Sequence, residues 1–200
     1  MMEAVFGLIG VLVGASLTWI QEAWSDSRTR ERHARYLAIR VVCVLDKYVE
    51  NCADVALDDG LCEGRRNEEG CLEPQVSPPS SPAFSEDLDW KSIDHELMYR
   101  LLSLPSEAEA ANRMIAGASE HADPPDYEEV FEERQYQYAK LGLTAFALAE
   151  EIRKKYGIPS QELGDWNPAE QLTKVKGRVE EQRRKRGQYL AESASSLSGP

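Results

Sequence analysis

Three histidines, four cysteines and an excess of acidic side chains are what this 200-residue chain offers for chemistry. His95-Glu96 opens like the zinc-binding HExxH helix. The fifth residue is Tyr99, however, so the second imidazole ligand is missing. His33 and His121 are scattered and lack ligand spacing. Of the cysteines, Cys43, Cys52, Cys62 and Cys71, the last two have neither a CxxC nor a histidine nearby, so a zinc site has weak support. Cys43 and Cys52 fall in an apolar helical pattern and read as small core residues. Cys62 and Cys71 flank the polar run from Glu63 to Gly70; they are expected to stay reduced in a cytoplasmic domain and would pair as a disulfide only in the opposite orientation. No GxxxxGKS/T phosphate loop and no GxSxG nucleophile elbow occur. The acidic pairs Asp58-Asp59 and Glu150-Glu151 are expected in a chain with 35 acidic residues, and they read as turn or solvated surface. No residue emerges as catalytic, cofactor-binding or metal-ligating, and no cofactor is expected.

Arg183-Arg184-Lys185-Arg186 is the sharpest charge cluster and a possible basic contact patch. It reads first as a solvated helix end, since Glu180 and Glu181 precede it. It could instead meet acidic phospholipid, at about 1 kcal/mol per basic residue near the surface, or the acidic middle of the chain or a partner. A net charge of −12 and a pI near 4.8 argue against nucleic-acid binding.

The elements that would position these groups start with an apolar run. From Ala4 to Ile20 the chain reads AVFGLIGVLVGASLTWI, without a charge. A hydrocarbon core of about 30 Å takes roughly 17–25 apolar residues as a helix, so this stretch suffices at the short end. A cleaved signal peptide wants a basic start and a small-x-small cleavage site; here the only charged side chain before the run is Glu3, and Thr18-Trp19-Ile20 followed by Gln21-Glu22 is a poor cleavage site. A buried core helix is a further reading. The flanks favour an uncleaved anchor. Arg28, Arg30, Arg32, Arg35 and Arg40 follow the run, and no Lys or Arg precedes it. By the positive-inside rule the N-terminus then lies outside and the C-terminal bulk in the cytoplasm. Trp19 and Trp24, with Arg28, Arg30 and Arg32, mark the membrane interface. Gly7, Gly10 and Gly14 sit at helical spacing and would let two such helices approach closely in lipid.

Between Ser25 and Asp58 there is no Pro or Gly. Ala34, Ala38, Val41, Leu45, Tyr48, Cys52 and Val55 alternate at spacings of four and three, a helical packing seam. Ile39, Val42, Val44 and Val49 widen it, and Asp58-Asp59-Gly60 ends it. Pro74, Pro78, Pro79 and Pro82 with their serines make a flexible connector. Asp94 caps a short helix with Leu97, Leu101 and Leu104 on one face. Pro105 is expected to interrupt it, and Ser106 with Glu109 to open another helix as a capping box. A long amphipathic helix from Tyr127 to Tyr156 carries Phe131, Tyr138, Leu141, Ala145, Leu148 and Ile152, with Gly157 as its stop. Asn167-Pro168 opens a last helix with Leu172, Val175 and Val179.

The expectation is an all-α protein: a single N-terminal transmembrane helix continuing into a cytoplasmic helical bundle. Residues 1–24 are the anchor, 25–58 a juxtamembrane long helix, and 59–89 a Pro/Ser-rich flexible loop. Residues 90–192 form a helical domain packing on 25–58, and 193–200 a disordered tail. Compact size and the lack of eukaryotic-style sorting signals suggest a bacterial inner membrane. The expected role is a non-catalytic scaffold, adaptor or subunit of a membrane assembly. Its partners would be membrane lipid and a protein or a second copy, without nucleic acid. Two other classes stand beside it: a holin-like or toxin-like membrane-active protein, resting on the anchor glycines, and a membrane-tethered enzyme of unrecognised type.

Overall fold

The computed structural model describes residues 2–120, 122, 127–161, 164 and 166–197, with side chains described for 24–193 within those ranges. The protein is all-helical over these residues, with helices α1 (Met2–Leu57), α2 (His95–Glu120), α3 (Glu128–Tyr156) and α4 (Pro168–Leu197), and a single 3₁₀ turn at Trp90–Ser92. Among the described residues no helix is long and apolar enough to cross a membrane. The side chains of Ala4–Ile20, including the glycine face and Trp19, lie outside them.

The long first helix follows from its composition, since nothing between Ser25 and Leu57 breaks the backbone ladder. Residues 24–33 are exposed on every side, and the first buried position among the described side chains of α1 is Ala34. From there Ala38, Val41, Leu45, Tyr48, Cys52 and Val55 face the core together with Val42 and Val49. Ile39 stays exposed. Cys43, expected in the core, is exposed as well. It sits on the side of α1 away from the seam, where apolar neighbours in sequence do not imply burial.

Helix α3 is the centre, packing on α1, α2 and α4. Asp46 meets Arg153 and Asp58 meets Arg134, so α1 and α3 run antiparallel. Asp94 meets Lys155 and Asn112 meets Tyr138, giving α2 the same relation to α3. Arg183 meets Glu132 while Leu172 lies against Gly142, which makes α4 antiparallel too. Three helices thus point one way around a reversed fourth. Small residues at Ala139, Gly142, Ala145 and Ala149 permit the close approach.

The caps behave as their residue types dictate. Asp94 Oδ1 accepts from the Leu97 N–H at 2.8 Å, and Asn167 Oδ1 from Ala169 at 3.0 Å. Gly157 closes α3 in the left-handed region, φ 61°. Pro105 does not interrupt its helix. Helix α2 runs through it, because Leu97, Leu101, Leu104, Ala108 and Ala111 form one continuous buried stripe across the proline. A helix-interior proline costs about 3 kcal/mol, and each buried leucine returns about 1.5–3 kcal/mol. The capping box at Ser106 is therefore unused. Helix α4 also reaches Leu197, beyond the tail boundary expected at 193; the Glu-, Gln- and Arg-rich stretch past its packed half is of good propensity, and Ala194 and Leu197 extend it among serines.

Helices α1, α3 and α4 approach one another closely at Gly142. A Cβ there would come within 2.6 Å of Leu172 Cδ1 and 2.9 Å of Cys52 Cβ. At Gly177, by contrast, a Cβ would meet nothing within 4 Å. Gly142→Ala is expected to destabilise, overpacking of about 1–3 kcal/mol outweighing a helix-propensity gain of about 1 kcal/mol. Gly177→Ala is expected to stabilise. Urea denaturation of the two variants in mild detergent reads the opposite signs directly.

Candidate functional site

The end of the bundle far from the α1 N-terminus gathers the most convergent polar side chains. Its base is a buried ion pair. Arg134 Nη1 donates to Asp58 Oδ2 at 2.8 Å, and the two side chains are 5% and 1% exposed. Asp58, read from the sequence as turn or solvated surface, does lie in the turn after α1 but is buried there. It accepts backbone N–H bonds from Gly60 at 2.9 Å, Gln75 at 2.9 Å and Val76 at 3.0 Å. Burial pushes its carboxyl pKa up, but the Gly60 and Val76 N–H groups and Arg134 more than offset this and hold it below the usual carboxylate range. Arg134 also donates to the Val76 carbonyl. The connector after α1 is thus pinned where its sequence suggests a free spacer. Arg40 further holds it through a two-pronged contact to Asp87, whose pKa this hydrogen bond brings down to about 2.

Above the pair, Gln135 Nε2 donates to the Asp58 carbonyl at 2.8 Å, and its Oε1 accepts from Arg178 Nη2 at 3.0 Å. A cleft of about 530 Å³ opens beside it, lined by Asp59, Arg66, Phe131, Glu132, Arg178 and Arg186 among others. Gly60, at φ +74°, lets the loop pass over Phe131, whose ring sits 2.5 Å from where a Cβ would be.

The basic cluster faces this region. Arg183 bonds Glu132 at 2.8 Å and Glu133 at 2.6 Å, and stacks on the Tyr136 ring at 4.5 Å. Arg186 reaches Glu132 at 2.6 Å and Glu129 at 3.5 Å. Arg184 and Lys185 pair along α4 with Glu181. Of the three destinations open to the cluster from sequence, two arginines turn to acidic residues of the same chain. The partly exposed Arg183 pairs are each worth about 0.2–1 kcal/mol.

A second, smaller cleft of about 150 Å³ lies between α1, α3 and the start of α4, lined by Asp46, Glu50, Phe146, Glu150 and Arg153 among others. Arg153 bonds Asp46 at 2.5 Å and Glu150 at 2.9 Å, and its buried Nε has no hydrogen-bond partner.

The other candidate residues do not converge. Trp24, Arg28, Arg30 and Arg32 are exposed on the lower part of α1, with Arg28 over the Trp24 ring at 5.6 Å. Gly7, Gly10, Gly14 and Trp19 lie outside the residues with described side chains. All four cysteines are free. Burial pushes the Cys52 thiol up to about 12, against a hydrogen bond to Tyr48, so it is no nucleophile at neutral pH. Among the described residues no group of three or more His, Cys, Asp or Glu is arranged to hold a metal ion. The chain matches no family model, and neither curated proteins nor solved structures match it.

Sequence reading missed the Asp58–Arg134–Gln135–Arg178 chain. A signal was present: Arg134 and Gln135 occupy the apolar stripe of α3 between Phe131 and Tyr138, where a charge must find a buried partner.

Removing one partner of a buried pair costs about 3–5 kcal/mol. Asp58→Asn, leaving Arg134 unpaired, is expected to lose that order of stability by urea denaturation at pH 7. The pKa of Asp58 is depressed in the folded state, so its contribution is complete above the unfolded value, about 3.9. It drains away as pH falls through the lower folded value. Wild type is therefore expected to lose more stability than Asp58→Asn between neutral pH and pH 3, and parallel losses would count against the assignment.

Proposed function

We propose that the protein is a single-pass membrane-anchored helical scaffold or adaptor that acts by binding, with residues 4–20 in the bilayer and the α1–α4 bundle in the cytoplasm. One observation carries the reading. A single unbroken helix, α1, joins an uncharged apolar run to the spine of the packed domain. Residues 24–33 form an exposed stalk between them, about 15 Å long at 1.5 Å per residue. The stalk carries Arg28, Arg30 and Arg32, with Arg35 just above, suited to headgroups on the positive-inside face.

This topology also assigns the basic cluster. From Glu22 to Asp58, α1 climbs about 54 Å along its axis. Arg183 and Arg186 lie at the level of Asp58, since their partners Glu132 and Glu133 directly precede Arg134. They stand well beyond reach of the bilayer that holds the anchor, and their chemistry is directed to protein. Gly7, Gly10 and Gly14 support self-association in the membrane, and a homodimer is part of the proposal.

Integration is read by alkaline carbonate extraction of membranes from expressing cells, and orientation by thiol labelling of exposed Cys43 and Cys62 from either side. The chain is expected to remain in the pellet and to label only from the cytoplasmic side. Val11→Lys with Val13→Lys should release it, at about 2.5–3.5 kcal/mol of insertion cost per charge. Extraction of the unaltered chain by carbonate would refute the anchor.

A further inference from the structure

The attachment of α4 to α3 changes character at Val179, the last buried residue among the described side chains of α4. Below it Leu172, Val175 and Val179 are buried in apolar contact. Above it the attachment is ionic and aromatic: Arg183 to Glu132 and Glu133 and over Tyr136, Arg186 to Glu132 and Glu129. From Gly187 to Glu192 every residue is exposed, with Tyr189 at 71% and Leu190 at 61%. Glu132 and Glu133 are only 12% and 18% exposed in their side chains, with the arginines of α4 seated on them.

We propose that this acidic face of α3 is a docking surface for an arginine-rich helical segment of a protein partner, and that the distal half of α4 occupies it in the free protein. The inference rests on the binding role proposed above and names the class of partner. Charge complementarity carries it. Without the end of α4, the face and its adjoining cleft present Asp59, Glu128, Glu129, Glu132 and Glu133 against two cations, Arg178 and Arg66, the latter paired with Glu128 at 3.2 Å. The internal occupant displays the chemistry the face accepts, two arginines one helical turn apart, one of them stacked on a tyrosine.

The same geometry makes the occupant exchangeable. Surface ion pairs are weak and screened by salt, whereas the apolar seam up to Val179 keeps the base of α4 in place. Release therefore swings only the distal half. A ligand arriving in trans competes with a tethered one, so the closed form lowers its apparent affinity by the fraction of protein that is open. A nucleic-acid partner is repelled by the same carboxylates.

The test uses the full-length protein in mild detergent and a fluorescein-labelled peptide copying residues 178–192, followed by anisotropy. Arg183→Glu with Arg186→Glu is expected to unseat the end of α4 and to bind the peptide about tenfold or more tighter than wild type. Adding Glu132→Gln and Glu133→Gln should abolish that binding. Amide exchange should show lost protection over residues 180–192 with α1, α2 and α3 unchanged. Arg183→Gln with Arg186→Gln is the milder variant should the charge reversal disturb those helices, and the same gain is expected of it. Released α4 amides without a gain in peptide affinity would overturn the proposal, as would an α4 end that stays protected in both variants. Peptide binding does not depend on the anchor, so failure here leaves the membrane assignment standing.

Discussion

The bond between Asp58 and Arg134 settles more of this architecture than any other single contact. It sits where α1 ends, and it holds three segments that share no secondary structure. The carboxylate collects the N–H groups of Gly60, Gln75 and Val76, while the guanidinium takes the Val76 carbonyl. An ion pair so buried is a costly thing to form, and here every near neighbour contributes to satisfying it. Because Arg134 belongs to α3, the same contact sets the register of α3 against α1, with Arg153 and Asp46 fixing the other end. Everything that packs on α3, including α2 and α4, inherits that register.

Much of the fold is legible from period alone. The seam from Ala34 to Val55 and the stripe from Phe131 to Ile152 repeat at helical spacing, and each seam residue is buried. Helix ends were legible where a residue type has one job, as at Gly157 and Asn167. The departures have a common cause. Pro105, Cys43 and the end of α4 are places where local propensity points one way and the surrounding packing, or its absence, points another. Local chemistry cannot weigh contacts that arrive from residues distant in sequence.

The candidate site was the less legible part for the same reason. Asp58 and Arg134 are 76 residues apart, and nothing in either neighbourhood names the other. What could be read is that a charge on the α3 stripe requires a partner. The arginine cluster was visible as a cluster, but its direction was not, because it depends on the antiparallel course of α3 and α4. Once that course is known, the acid-rich first turns of α3 and the basic part of α4 become one electrostatic seam. An apolar seam closes the lower half of the same helix pair, so the two halves of α4 answer to different physics.

The proposed anchor requires α1 to be one rigid element in two solvents. If the helix is continuous from the apolar run to Leu57, the domain stands on a stalk and its acidic far end is held well away from anionic headgroups. The most direct measurement is the height of the α1 terminus above the bilayer. A dye at Leu57→Cys, in a chain whose Cys43, Cys62 and Cys71 are serine, can be read by energy transfer to headgroup-labelled lipid in reconstituted vesicles. The account predicts a label about 50 Å above the surface, 1.5 Å for each residue beyond Glu22. A label lying at the headgroups would contradict it, because the helix would then bend or the domain would rest on the membrane.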